Sequence, residues 1–171
     1  YGTEVTQATA NIAEKILKQN NIIAKIKKGL NQSLPFENNF FDLLISINVL
    51  HYEKNEKGII KSLKEYKRVL KKNANLIIFT VGPKHQIYER AESLGNHVFK
   101  IQNWDFRNDS KYFYFDNEKY LQSYVENFFR WLHLCILLDA GEVHDGDHDV
   151  HCKLFISRGA GVLYFSFIQG F

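Results

Sequence analysis

Two stretches decide how this chain folds: Phe41-Asp42-Leu43-Leu44-Ile45-Ser46-Ile47 and, further on, Leu76-Ile77-Ile78-Phe79-Thr80-Val81. Both are too continuously apolar for a strand with one wet face, and each reads as a strand buried on both sides. Between them, Ile59, Leu63, Tyr66 and Leu70 recur at i, i+4, i+7 and i+11, which is one apolar face of a helix. Strand, helix and strand at these lengths make a crossover unit, so the two strands are parallel and lie in a sheet covered by helices. The right-handed rule for such crossovers then restricts the topology.

Working outward, the pattern repeats towards the N-terminus. Tyr1-Gly2-Thr3-Glu4-Val5 reads as the end of a strand, Thr6 as an N-cap, and Ala10, Ala13 and Leu17 as the apolar side of a helix. Ile22-Ile23-Ala24-Lys25-Ile26 is expected to be the next strand, with Gly29 opening its loop. Leu34-Pro35-Phe36 and Glu37-Asn38-Asn39 form a turn before Phe41, Lys71 to Asn75 a polar turn before Leu76, and Gly82-Pro83 a stop after Val81. Beyond Gly95 the order is lost. Residues 96–115 are aromatic without period, and a helix is expected from about Asn117 with Tyr120, Tyr124 and Phe128 on one face. Val150, Cys152, Leu154 and Ile156 alternate with wetter residues, as in an antiparallel strand. The apolar tail from Gly159 to Phe171 has no assignment.

Composition narrows the functions. With 171 residues and 45% hydrophobic content, the chain suits one ordinary core. A net charge of +3, spread along the sequence, argues against nucleic acid or an anionic membrane as partner. No apolar run reaches the roughly 20 residues that span a bilayer, and the N-terminus lacks a secretory pattern. Cys135 and Cys152 suggest no disulfide framework, and a cytoplasmic location fits these features. The sequence contains no Met, so a fragment or processed chain is expected.

The segments Leu34-Pro35-Phe36, Phe41-Asp42-Leu43-Leu44, Asn48-Val49-Leu50-His51-Tyr52, Glu65-Tyr66-Lys67-Arg68-Val69-Leu70-Lys71 and Leu76-Ile77-Ile78 occur in a telling order and spacing. The set resembles class I S-adenosylmethionine-dependent methyltransferases, in the branch that methylates small molecules. The resemblance runs from about Tyr1 to Ile156 and thins after Gly95. It implies an α/β fold: a Rossmann-like methyltransferase sheet, mostly parallel, with its first strand and glycine-rich turn missing and an antiparallel hairpin near the C-terminus. Residues 1–158 would form the partial domain, 96–130 a variable part and acceptor lid, and 159–171 the unassigned tail.

In open α/β sheets, ligands bind outside the carboxyl ends of the strands. The resemblance accordingly implies the cofactor ribose on Glu4, with Val5 beside the adenine and Leu30 and Asn31 in the adenine-side loop. Ile47, Asn48 and Val49 would run under the methionine part and the transferable methyl. His51 stands where a general base would meet a small-molecule acceptor, though a structural histidine is an equal reading. Glu4 also has the plain reading of a solvated turn residue. The loop at Leu30 lacks the family's carboxylate and the turn at Lys71 to Asn75 lacks its glycine. With the glycine-rich turn also missing, this chain is expected to bind S-adenosylmethionine weakly or not at all.

Several other segments carry alternatives. Trp104 to Phe115 forms an acceptor wall or a connector with core aromatics, with Asp105 and Arg107 either orienting a charged acceptor or standing as surface charges. Glu65 and Arg68 read as structural. Ile136-Leu137-Leu138-Asp139-Ala140-Gly141 faintly resembles the missing strand and its first glycine, but Glu142 follows where more glycine is needed. His144, Asp145, Asp147, His148, Asp149, His151 and Cys152 offer metal-ligand chemistry, yet His151 and Cys152 on a strand point to opposite faces, so a polar turn is the preferred reading and no metal is assigned. The function expected is methyl transfer to a small molecule. The alternatives are a non-catalytic methyltransferase-like module and a His-rich metal-binding protein. The acceptor and the oligomeric state stay open.

Overall fold

The computed structural model describes residues 1–103, 107–129, 133–139 and 163–167, the last two stretches as backbone strands. β1 (Gly2–Glu4), α1 (Gln7–Gln19), β2 (Ile26–Lys28), β3 (Phe41–Ile47), α2 (Glu56–Val69) and β4 (Leu70–Val81) follow in order. One-turn helices at Leu50–Tyr52 and Gln86–Tyr88 follow β3 and β4 respectively. Then come β5 (Glu92–Ser93), β6 (Val98–Lys100), β7 (Lys111–Phe113), α3 (Glu118–Glu126), β8 (His133–Asp139) and β9 (Leu163–Phe167). Among the described residues no helix is long and apolar enough to cross a membrane.

The main sheet has six strands in the order β2-β1-β9-β3-β4-β8, and all its described pairings are parallel. Parallel strands all end on one side, so Glu4, Lys28, Ile47, Val81, Asp139 and Phe167 share the carboxyl edge. At the centre, Leu44 pairs with Leu76, Ile45 with Ile77 and Ser46 with Ile78. Leu44, Leu76 and Ile78 are fully buried, as expected of strands covered on both faces. Ile59, Leu63 and Tyr66 of α2 are packed in the same core, as their spacing predicts, and Asn55 caps the helix by accepting from Gly58 N–H. Thr6 caps α1 in a reciprocal pair with Thr9.

Several expectations are corrected. The apolar run at Ile22 makes a strand only from Ile26 to Lys28; Ile23 is fully exposed, and Ile22 is about half exposed. β2 is an edge strand with only a three-residue partner in β1, so pairing cannot extend over the isoleucines. The polar residues Lys71 to Asn75 do not form a separate turn, because β4 already begins at Leu70. Phe41 pairs with Leu70 but Leu43 with Asn75, so β4 carries extra residues as a bulge, with Asn73 in the left-handed region at φ 63°. Residues 96–115, which show no period in the sequence, contain β6 and β7, which join β5 in an antiparallel three-stranded sheet. Its Phe113, with Phe115 just beyond, is buried in the main core. In α3 the buried face is Leu121, Tyr124 and Val125, with Tyr120 and Phe128 only partly covered.

A slot between β1 and β3 holds β9. The sequence Leu163-Tyr164-Phe165-Ser166-Phe167 is rich in aromatics that favour strands. In that slot it pairs strand edges on β1 and β3 that would otherwise face open space. The run from Ile136 to Asp139 is at the outer edge beside β4 and not in this slot, which removes the relocated-strand reading; Ala140 and Gly141 are outside the described residues, as are Trp104, Asp105 and Phe106, the hairpin expected at Val150 to Ser157, and the rest of the tail.

One side chain anchors the turn before β3. The Arg68 guanidinium donates to the carbonyls of Phe36 at 2.7 Å and Leu34 at 2.9 Å, to Asn38 Oδ1 at 2.9 Å, and to the Glu65 carboxylate. The Glu65 carboxylate also accepts from Leu34 N–H at 3.0 Å, and its charged form is favoured chiefly by the Arg68 bond. These contacts make Glu65 and Arg68 structural, as their sequence reading had it. Lysine cannot reproduce a planar fork with several simultaneous partners. Arg68→Lys is therefore expected to lower stability by about 1–3 kcal/mol, and Arg68→Ala by at least as much, in urea denaturation with an unchanged m-value.

Candidate functional site

The carboxyl edge of the main sheet collects most of the residues singled out in the sequence. Glu4 ends β1; its carbonyl accepts from Gly29 N–H at 2.9 Å, which ties the end of β1 to the loop after β2. Its carboxyl is pushed up from the ordinary range by partial burial, against a smaller opposing effect from a hydrogen bond with Thr9. Gly29 is required for the close approach here, because a Cβ would stand 2.6 Å from Pro35 Cδ and 3.1 Å from Thr3 Cγ2.

Val5 and Leu30 follow these strand ends and are 50% and 55% exposed, so two apolar side chains are left in water at this edge. Leu30 and Ser33 exchange backbone hydrogen bonds across a tight loop. Asn31 Nδ2 donates to the Val49 carbonyl at 3.3 Å, which brings the loop after β2 onto the segment after β3. A second tie reinforces it. The buried Glu53 carboxylate accepts from Gln32 Nε2 on one oxygen and from Ser62 Oγ at 2.6 Å on the other. A Cβ at Gly58 would approach Glu53 Oε2 to 2.7 Å, so this carboxylate occupies space that only glycine leaves. Sequence reasoning missed Glu53; the carboxylate followed by Asn55 and Gly58 at a helix start was the available signal.

Ile47 closes β3, and Asn48 turns the chain with φ 51°, its N–H donating to the Phe79 carbonyl at 2.8 Å. Asn tolerates this left-handed backbone better than most residues. Asn48 Oδ1 is buried and has no hydrogen-bond partner among the described residues; Tyr88 Oη is in the same condition. Val49 is fully buried.

His51 is only 2% exposed. Its Nδ1 is 3.0 Å from Thr80 Oγ1, and its ring is packed 4.6 Å from Tyr52 and 4.5 Å from Tyr112. Burial lowers its pKa to about 3, with smaller contributions from His85 and Arg107. His85 Nδ1 accepts from Ile87 N–H at 3.0 Å. A ring that burial keeps neutral gains little by taking a proton, so the geometry fits orientation better than base catalysis. Tyr112 donates to Tyr52 Oη at 3.0 Å, and burial pushes the phenols of Tyr112 and Tyr88 well above their usual range. The structure thus gathers Glu4, Val5, Leu30, Asn31, Ile47, Asn48, Val49 and His51 along one edge. The candidate metal ligands from His144 to Cys152, and Asp105, lie outside the described residues.

The comparisons with known proteins agree with this geometry. Residues 1–78 match the family model of a methyltransferase domain. Among solved structures, the chain is similar to the PH0226 protein from Pyrococcus horikoshii OT3, with a TM-score of 0.60 at 16% identity, over 74% of this chain and 60% of that one. It also matches the YcgJ protein from Bacillus subtilis with a TM-score of 0.41 at 22% identity, over 45% of this chain and 32% of that one. The chain therefore spans about 60% of the length of the Pyrococcus protein. No curated protein matches the sequence. The family match and the likeness to the Pyrococcus structure together show a Rossmann-like methyltransferase fold.

Protonation of His51 is expected to register in stability. Its folded pKa of about 3 lies below the ordinary 6.5, so below pH 6.5 the unfolded chain binds a proton that the native chain does not. Stability then falls as pH drops from 6.5 towards 3, by up to about 1.4 kcal/mol per pH unit. Denaturant titrations between pH 7 and pH 4 should show this loss relative to a His51→Phe variant, which lacks the titrating ring. Parallel slopes in the two proteins would contradict the buried neutral imidazole.

Proposed function

We propose that this chain, whose residues 1–78 match the model of a methyltransferase domain, serves methyl transfer from S-adenosylmethionine to a small-molecule nucleophile. The observation that carries the reading is the tie from Asn31 to the Val49 carbonyl. It joins the adenine-side loop to the segment assigned to the methyl group, so two parts of one extended ligand would meet a single rigid edge.

The residues present fit such a cofactor on this side. Glu4, at a strand end, supplies a carboxylate for a ribose diol. Val5 and Leu30 offer exposed apolar surface to a flat purine. Asn48 presents a buried amide oxygen with no partner among the described residues, beside the segment assigned to the methionine end. When bound, the sulfonium of the cofactor supplies an activated methyl group.

The chain's own contribution would be alignment. Displacement at a methyl carbon gains most when nucleophile and leaving group are held in line, and the gain comes from geometry that has been fixed in advance. Glu53, Gln32 and Ser62 fix the loop, while Thr80, Tyr52 and Tyr112 fix His51. His51 would orient its neighbours and exclude water.

Titration calorimetry with S-adenosylhomocysteine tests the reading directly. The expected result is weak but saturable binding by this chain, tighter in a form extended at the N-terminus, and weakened about tenfold or more by Glu4→Ala. Absence of binding in both forms at millimolar ligand would remove the methyltransferase reading and leave a non-catalytic module of that shape.

A further inference from the structure

Most apolar residues left in water on a folded surface are scattered singly and ask for no explanation. Those of α1 and the turn after it are not scattered. Ile12 and Ile16 are 52% and 41% exposed, Ile22 is about half exposed and Ile23 fully. The helix carries two apolar stripes. Ala10, Ala13 and Leu17 turn towards the sheet, and of these Ala10 is fully buried. Ala8, Ile12 and Ile16 recur at i, i+4 and i+8 on the opposite side, and all three are exposed.

Nothing in the helix itself calls for isoleucine on that side. β-Branched residues lose rotamer freedom in a helix, so on a solvent face they are weaker helix formers than glutamine or lysine. The turn after the helix extends the stripe. Asn21 takes left-handed backbone at φ 58°, and Ile22 N–H donates back to the Leu17 carbonyl at 2.9 Å, the closing bond of a Schellman turn. That bond returns the backbone of Ile22 to the last turn of the helix, where Ile16 stands.

The charge around the stripe is one-sided. From Gln7 to Lys28 the chain has five lysines and a single acid, Glu14. The Glu14 carboxylate accepts from Ile26 N–H at 2.8 Å, so it is turned to β2 and away from the stripe. Lys25 and Lys27 lie over the rings of Tyr1 and Phe36, 5.9 Å and 5.2 Å from their centroids. Lys15 and Lys18 remain. Lys15 neighbours Ile12 at i+3, and Lys18 follows Lys15 at the same spacing. Both are exposed, and neither is ion-paired among the described residues.

We propose that Ala8, Ile12 and Ile16, continued by Ile22 and Ile23, form a docking ridge for an acidic amphipathic helix of another protein. Side chains spaced four apart make a ridge that packs into the groove of a second helix. Acidic residues flanking the partner's apolar stripe then meet Lys15 and Lys18. A second copy of this chain fits less well, because it brings the same lysines together with no acid between them. A bilayer surface is opposed by the narrowness of the ridge, which lacks the wide apolar face and the Trp, Phe or Leu of an interfacial helix. The ridge faces away from the sheet, and the proposal does not depend on the methyltransferase reading.

Fluorescence anisotropy on the full chain tests the ridge with two labelled peptides of about four helical turns. Both carry leucines at i, i+4 spacing on one face; one flanks them with glutamate and its twin with lysine. The glutamate peptide should bind, its twin at least about tenfold more weakly, and added salt should weaken the first. Ile12→Gln with Ile16→Gln should weaken the glutamate peptide about tenfold while keeping the wild-type thermal midpoint, since glutamine is the better helix former on a solvent face. Lys15→Glu with Lys18→Glu should reverse the preference between the twins. Binding of neither peptide, equal binding of both, or a preference that the charge swap leaves unchanged overturns the proposal. Sedimentation velocity, and co-sedimentation with vesicles of phosphatidylcholine and phosphatidylserine, test the other occupants. A dimer of the wild-type chain, or lipid binding, that the isoleucine variant abolishes also overturns it. If one variant fails to fold, the other variant and the comparison of the twins decide.

Discussion

The pairing of β3 with β4 is the constraint on which the rest of the molecule depends. Two parallel strands buried on both faces cannot be joined by a short turn, so the chain must cross over, and α2 makes that crossing. Once β3 and β4 run the same way, their carboxyl ends open on one side, and β1, β2, β8 and β9 follow the same direction. The common edge therefore follows from apolar strands that need cover on two faces. The candidate site lies where strands end and loops leave that edge, as functional residues commonly do on a rigid scaffold.

The sequence discloses the strands and helices that are long and buried. β3 and the apolar part of β4 are readable as continuous apolar runs, α2 by the period that burial imposes on it, and the cap at Thr6 by its residue type ahead of an apolar face. Other features are set by partners that no local pattern names. Ile22 and Ile23 look like a strand, but pairing is decided by the short length of β1. Lys71 to Asn75 looks like a turn because it is polar, yet the bulge lets a polar run sit within strand pairing. β5, β6 and β7 are two or three residues each, too short to show alternation, and their aromatics serve two cores at once. The place of β9 depends on a gap made by strands far away in sequence, so only the assembled sheet reveals it.

The candidate site follows the same division. Glu4, Leu30 and Asn48 could be picked out because they stand just past predicted strands, and position on an α/β sheet carries meaning by itself. Glu53 carried only the weaker signal of a carboxylate ahead of Asn55 and Gly58, because its role comes from Gln32 on one side and Ser62 on the other, and neither lies beside it in the sequence. His51 was visible as a residue but not as an environment. Only the packed rings of Tyr52 and Tyr112 show that its charged form is excluded.

That exclusion bears on the kind of catalysis this edge can support. A catalyst that removes protons keeps its base accessible and poised near the working pH. Here His51 is sealed, neutral and bonded to Thr80, while carboxylates such as Glu53 and Glu65 spend their capacity holding loops in place. Asn48 and Tyr88, whose side-chain oxygens are buried without a partner among the described residues, belong to groups that do not ionise near neutral pH. An edge built this way stores its advantage in fixed positions. It suits a reaction whose energy comes from an activated donor and whose barrier yields to alignment, because such a reaction asks the protein for geometry and little else.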